Sequence, residues 1–301
     1  MSFSADVKEE ICRQKLERKC CALAESFGVL LFCHTFSPDT IRISTANAPF
    51  MARLPKLFKK AFGLTFDVLP PEAASGRRSL LISDRQKISA VYSAFGWDAS
   101  TAVSHHVNYA ILEEECCRIA FLRGAFLAGG SVTDPDLRFH LELATVHHSV
   151  ARECVSLMQE LGFQPRLSER SGNTLLYFKQ SDAIADLLTI IGAPVTSMRV
   201  LTAKVDKEMR NTVTRQINCD SANADKTVSA AQEQLAAIRR YSARYGLDTL
   251  PEPLKDAALL RITNPAASLA DHARLSSPPV TKSCLSHRLK KIISLADEKQ
   301  R

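Results

Sequence analysis

No stretch of the 301 residues approaches the ~18 consecutive apolar positions needed to span a bilayer, so no membrane role is expected. The opening MSFSADVKEEICRQKLERK also lacks the apolar core of a secretory signal. Nucleotide-chemistry motifs are missing as well. There is no phosphate loop and no dinucleotide fingerprint, and GRRS (Gly76 to Ser79) reads as a hairpin turn. His105-His106, Cys116-Cys117 and His147-His148 match no metal-finger spacing, and adjacent ligands do not converge easily on one tetrahedral ion. They read as structural residues, with no metal and no cofactor. Cys33 has no His-Asp arrangement that would recommend it as a nucleophile. The single tryptophan, Trp97, lies beside Phe95 in a stretch with little positive charge and reads as core rather than as a base-stacking platform. With no export signal, the nine cysteines are read as reduced thiols, and the protein as soluble and cytoplasmic.

What the chain does contain is ordinary globular material. Hydrophobic residues make up 46% and charged residues 24%, which excludes a disordered chain and leaves room for about two domains. The net charge of +7 is unevenly placed. Residues 1–198 hold 21 Lys+Arg and 21 Asp+Glu, so the whole excess lies in the last third. A basic surplus confined to one region points to a polyanionic partner there.

Two stretches about a hundred residues apart share an order of elements. The first opens with Cys20-Cys21 and the helix ALAESFGVLLF, followed by the strand IRISTA, the amphipathic helix PFMARLPKLFKKAFG, the strand SLLIS and a helix ending near Phe95-Gly96. The second opens with Cys116-Cys117 and RIAFLRGAFLAGG, then FHLELATV, SVARECVSLMQELG, TLLYF and a helix ending at Ile191-Gly192. The strands alternate with period two, and glycine supplies the helix ends. A further hairpin strand is expected in each copy. The second copy's helix carries small residues at Gly124, Ala125, Ala128 and Gly129, a stripe that asks for a close partner helix. The matching first-copy helix, with Ala24 and Gly28 on its small face, is the expected partner.

This helix resembles the LAGLIDADG helix of homing endonucleases. In that family two such helices pack along a pseudo-twofold axis beneath two saddle-shaped sheets, and an acidic residue at each helix end holds catalytic divalent metal. Here those positions fall on Gly129 and Cys33, neither of which is a ligand for a hard cation. Asp134 and Asp136, beside Pro135, read as turn residues. Two strings, RGAFLAGGSV and RNTVTRQINCDSANADKT (Arg210 to Thr227), are similar to signatures of the WhiA family of bacterial transcriptional regulators, with Thr214 where that family usually has Asn. The resemblance covers nearly the whole chain. It implies an α+β fold of two pseudo-symmetric LAGLIDADG-like αββαββα lobes, followed by a separate all-α helix-turn-helix domain. The expected divisions are 1–110 and 111–200 for the lobes, 201–226 as a connecting segment and 227–301 for the DNA-binding domain.

The last third supports that reading independently. A helical stripe runs through Val228, Ala231, Leu235, Ile238, Tyr241 and Tyr245, and Gly246 ends it. A short helix from Leu254 to Ile262 stops at Asn264-Pro265. Ser268 caps the next helix with Asp271 in the capping-box position. After Ser276-Ser277-Pro278-Pro279, Thr281 caps a final helix whose buried stripe is Leu285, Leu289, Ile292 and Ala296. Short helix, capped helix, turn and basic helix is the helix-turn-helix order, and the longer turn resembles that of sigma-factor promoter-recognition domains. Lys282, Ser283, Ser286 and His287 are the candidates for base contact; Arg288, Lys290 and Lys291 are the candidates for phosphate, and Ser268 is a further DNA-binding candidate. Gly28, Gly124, Ala128 and Gly129 are assigned to packing between the lobes.

The leading expectation is therefore a non-enzymatic, sequence-specific regulator binding promoter or operator sites in double-stranded DNA. The resemblance adds sporulation, cell division or chromosome segregation as its programme, nucleoid association, and RNA polymerase, a sigma factor or another regulator as further partners. An active LAGLIDADG endonuclease and a protein-interaction adaptor with incidental DNA binding are the alternatives.

Overall fold

The computed structural model describes residues 2–71, 76–99 and 104–298. The chain divides into two compact units, residues 1–208 and 209–301.

In the first unit, α1 (Phe3–Cys12) starts at a Ser2 cap and buries Phe3, Val7 and Ile11. The first copy follows as α2 (Lys19–Phe32), β1 (Thr35–Phe36), β2 (Ile41–Thr45), α3 (Ala48–Phe62), β3 (Arg78–Ile82) and α4 (Arg85–Ala94). The second copy is α5 (Glu115–Gly129), β4 (Gly130–Val132), β5 (Leu141–Thr145), α6 (His148–Glu160), β6 (Arg166–Arg170), β7 (Asn173–Phe178) and α7 (Ser181–Ile191). Both sheets are antiparallel, with strand orders β1-β2-β3 and β4-β5-β7-β6. Alternation sets their faces. Ile41 and Ile43 are buried while Arg42 is exposed, and Thr174, Leu176 and Phe178 are buried while Leu175 and Tyr177 are only partly so. As expected, Gly63 and Gly192 end α3 and α7 in the left-handed region, at φ 74° and 107°.

The copies differ at the extra hairpin strand. The second has it because Ser171 and Gly172, at φ 49° and 78°, form a two-residue turn that pairs Arg170 with Asn173. Among the described residues, the first shows there only the isolated bridge Val68↔Leu81. Leu69 is followed there by Pro70 and Pro71, which have no N–H to extend a ladder.

The two Cys-Cys-led helices, α2 and α5, pack against each other at the centre of the unit. Their surfaces are buried almost all round, including Phe27, Leu30 and Leu31 on one and Phe121, Phe126 and Leu127 on the other. A Cβ on Gly28 would lie 2.0 Å from the Phe121 carbonyl oxygen, and one on Gly124 would lie 2.0 Å from that of Glu25. The contact is reciprocal, since Gly28 faces Phe121 and Ala125 while Gly124 faces Glu25 and Val29. The expected small-residue seam is thus a backbone-to-backbone crossing. Gly129 extends it, with a Cβ there 2.4 Å from the Ala144 carbonyl oxygen and 3.1 Å from that of Phe32. Ala128 is half-buried beside it.

Helix α8 (Pro194–Tyr245) is 52 residues long. It starts where it does because Pro194 follows the left-handed Gly192, and because the Glu10 carboxylate accepts hydrogen bonds from the Val195 and Thr196 amides at 2.7 and 2.9 Å. The helix expected over 227–245 is the end of this element. In the second unit its C-terminal turns bury Ala237, Ile238 and Tyr241 against α9 (Glu252–Thr263), α10 (Leu269–Leu275) and α11 (Lys282–Glu298). Val228, placed on the buried stripe by periodicity, is 55% exposed, because packing begins only past it, around Gln234.

Candidate nucleic-acid interface

Three short helices in the second unit form the candidate interface. Asn264 and Pro265 end α9, and Ser268 starts α10 with a complete capping box. Its hydroxyl accepts from the Asp271 amide, while Asp271 Oδ2 accepts from the Ser268 amide and hydroxyl at 3.3 and 2.7 Å. The hydrogen bonds hold the Asp271 carboxyl below its ordinary pKa. Ser268 therefore serves first as a cap. Ser268→Ala is expected to cost about 1 kcal/mol of stability in this unit, read by urea denaturation monitored through the α10 amides in hydrogen exchange.

The helices are also tied by buried polar groups. His272 places its ring nitrogens 2.9 Å from the Ser268 carbonyl and 3.1 Å from that of Leu260, linking α10 to α9. Arg261, buried, donates to the Ala267 carbonyl at 2.8 Å across the loop between them. These bonds hold α10 against α9. Thr281 caps α11 by accepting from the Cys284 amide at 3.2 Å. Leu285, Leu289, Ile292 and Ala296 are buried as the periodicity requires.

The opposite side of α11 is open. Lys282, Ser283, His287, Lys290 and Lys291 are exposed, and Ser286 is half-buried at the same face. At 100° per residue, Ser283, Ser286, His287 and Lys290 share one sector. Arg288 is half-buried on the flank beyond Lys291, so it lies apart from that sector. Ser268 and Lys282 line a common cavity of about 230 Å³ with Lys226 and Arg261. The helix thus presents cations and short hydroxyl side chains without a carboxylate before Asp297, which pairs with Arg240 at 3.0 Å.

In the first unit, the place where the endonuclease resemblance would put metal ligands is a cavity of about 490 Å³ at the C-terminal ends of α2 and α5. Cys33, His34, Arg77, Gly129, Thr145 and Asn173 are among its lining residues, and no described lining residue is a carboxylate. The Cys33 thiol donates to the Leu30 carbonyl at 3.2 Å, and desolvation pushes its pKa up to about 12. Glycine, a neutral thiol and two basic side chains do not form a hard-cation site. Asp134 and Asp136 sit in a turn, where Asp134 Oδ1 accepts from the Asp136 amide at 3.0 Å.

Trp97 packs on Phe27 and Tyr92. His105 stacks on His147 at 4.5 Å, whereas His106 meets Glu153 and His148 meets Thr174. None of these histidines joins Cys116 and Cys117, which lie beside Cys20 and Cys21 instead. Charge averaging over 1–198 also hid local detail. Arg166 and Arg170 of β6 share the outer sheet face with Tyr177, over which Lys179 sits at 5.5 Å. The strand alternation was the signal that could have found them. The string Arg210 to Thr227 lies on a stretch of α8 exposed at every residue, so its composition is not explained by packing.

Fold and site together define a two-part protein, a LAGLIDADG-like domain followed by a helix-turn-helix. Family profiles agree: the WhiA LAGLIDADG-like domain matches residues 118–210 and the WhiA C-terminal HTH domain matches residues 213–296. A relative from Ruminiclostridium cellulolyticum named "Probable cell division protein WhiA" is 34% identical over 306 residues, covering 99% of this chain and 97% of its own. One of the same name from Heliobacterium modesticaldum is 35% identical over 307 residues, covering 99% and 96%. The chain belongs to the WhiA family. Its fold is similar to the crystal structure of full-length WhiA from Thermatoga maritima, with a TM-score of 0.59 at 22% identity over 99% of both chains.

Proposed function

We propose that this protein is a sequence-specific, non-enzymatic DNA-binding regulator acting in cell division, chromosome segregation or sporulation. The observation that carries the reading is α11, a helix held by a capped, hydrogen-bonded pair of helices with its cationic, hydroxyl-bearing side open. Such a helix fits the major groove of double-stranded DNA at promoter or operator sites. Lys282, Ser283, Ser286 and His287 are assigned to base edges, and Arg288, Lys290 and Lys291 to phosphates. The relatives' names support the cell-division programme, and the helix-turn-helix match of this chain supports action on nucleoid DNA in the cytoplasm.

Phosphate contacts release counterions, and each contributes roughly −0.9 to the slope of log affinity against log salt. Lys290→Ala with Lys291→Ala is expected to flatten that slope by about two units on the full chain, with sequence preference retained. His287→Ala is expected instead to cost about 1–3 kcal/mol on the preferred site and little elsewhere. An unaltered slope in the lysine variant, measured by fluorescence anisotropy on a site selected from genomic fragments, would reject the assigned face.

The first unit supports a scaffold rather than a nuclease, because its helix ends carry Gly129 and Cys33 where hydrolysis needs anionic oxygens. Supercoiled plasmid incubated with the protein and Mg²⁺ or Mn²⁺ is expected to stay uncut. Metal-dependent cleavage that co-purifies with the full chain through successive columns would overturn that part of the reading. The lobes remain available for added duplex contacts, through Arg166 and Arg170, or for docking RNA polymerase, a sigma factor or another regulator.

A further inference from the structure

At the end of the central helix pair remote from the degenerate cavity, the two Cys-Cys pairs meet. Cys20 and Cys21 lie in the first turn of α2, and Cys116 and Cys117 in the first turn of α5. All four Sγ atoms lie within 4.8 Å of one another. The same 96-residue step relates Cys20 to Cys116, Cys21 to Cys117 and Gly28 to Gly124, so the internal duplication builds the cluster from equivalent positions.

We propose that Cys20, Cys21, Cys116 and Cys117 form a tetrathiolate site for a single zinc ion, stapling the N-terminal ends of the two central helices. Four thiolates around one tetrahedral ion at about 2.3 Å stand about 3.8 Å apart, so the observed separations need only small rotamer adjustments. A tetrahedral all-sulfur set selects zinc or iron–sulfur chemistry, and sulfurs this close leave room for one ion rather than a cluster with bridging sulfides. Hydrophobic packing alone does not account for the group. Cys154 is fully buried, as a packing thiol is, whereas Cys20 is exposed and Cys21 and Cys116 are half-buried.

The surroundings suit anionic sulfur. Four thiolates on a dication leave a net charge of −2, facing the positive ends of two helix dipoles. Arg18 Nη1 donates to Cys116 Sγ at 3.8 Å. Loading breaks four S–H bonds and forms four Zn–S bonds; the protons pass to buffer and nothing is oxidised. Affinity therefore falls as pH is lowered.

The test uses the full chain, purified with reductant and stripped by chelator. Cobalt(II) titration should give thiolate-to-metal charge transfer and the visible bands of a tetrahedral site, saturating at one equivalent, with zinc displacing the cobalt. Cys20→Ser with Cys116→Ser should abolish these bands, while Cys219→Ser with Cys284→Ser should keep them. A second reading needs no variant: zinc should protect Cys20, Cys21, Cys116 and Cys117, and not Cys219, from alkylation mapped by mass spectrometry. The site is refuted if the fully reduced chain gives no tetrahedral cobalt spectrum, if the bands survive in the Cys20/Cys116 variant, or if zinc leaves the four thiols as reactive as before. Disulfides among them in the native chain, with no cobalt uptake after reduction, would refute it equally.

Discussion

Replacing Gly28 or Gly124 by alanine is expected to destabilise the first unit by about 2–3 kcal/mol or more, although alanine is the better helix former by about 1 kcal/mol. Each new methyl would start 2.0 Å from a carbonyl oxygen of the facing helix, which is backbone and cannot rotate away. Relief requires α2 and α5 to separate, and that opens the packing of Phe27 on Phe121, whose rings now lie 5.6 Å apart. Because one separation relieves both clashes, the double variant should lose less than the sum of the single losses. Leucine at either position should abolish folding of the unit. Two separate units make a single global unfolding energy ill-defined, but the protein supplies its own local probe. Trp97, the only tryptophan, packs on Phe27 at 5.5 Å, so its fluorescence in a urea titration follows the first unit alone. A single alanine variant as stable as the parent would mean that the helices are not in backbone contact in solution.

The second large effect is expected at Glu25. This carboxylate is 1% exposed and receives a two-pronged contact from Arg53, at 2.6 Å from Nε and 2.9 Å from Nη2, with Arg123 Nη1 at 3.7 Å. The two guanidiniums also brace the backbone. Arg53 donates to the Cys12 and Gln14 carbonyls and Arg123 to that of Ile191, so the cluster joins α3, α5 and the C-terminal ends of α1 and α7 around α2. Desolvation lowers the Arg123 pKa more than Glu25 restores it, which marks the cost of holding that cation there. Glu25→Ala would leave the buried Arg53 guanidinium and the half-buried Arg123 guanidinium without their anion, and a loss of about 3–5 kcal/mol is expected. Glu25→Leu combined with Arg53→Met should recover most of it, since replacing a whole buried pair by apolar groups is close to neutral. Equal losses in the single and double variants, read by the same Trp97 titration, would show that packing volume and not charge is at stake.

How much of this was legible beforehand follows from the range of each interaction. Strand alternation, the glycine helix ends, the Ser268 capping box and the α11 stripe are local patterns, and they appear where the sequence placed them. The reciprocal crossing of Gly28 and Gly124 was also readable, because a stripe of small residues has few uses other than close helix approach. Val228 failed because periodicity shows which side of a helix is apolar and not where a partner begins. The symmetry of the repeat predicted a hairpin strand that, among the described residues, the first copy replaces by a single bridge, because Pro70 and Pro71 cannot extend a ladder.

Sequence by itself determined the duplication, the apolar and basic faces, the loss of carboxylates at the helix ends and the family. Tertiary structure alone decided that Glu25 faces Arg53 and Arg123, that Glu10 of α1 caps α8, and that two cysteine pairs 96 residues apart bring their four thiols within 4.8 Å. The reason is physical. Local order reports torsional preference and the side of an element that avoids water, whereas charge pairing and thiol convergence depend on distances set only when separate elements close over a shared core.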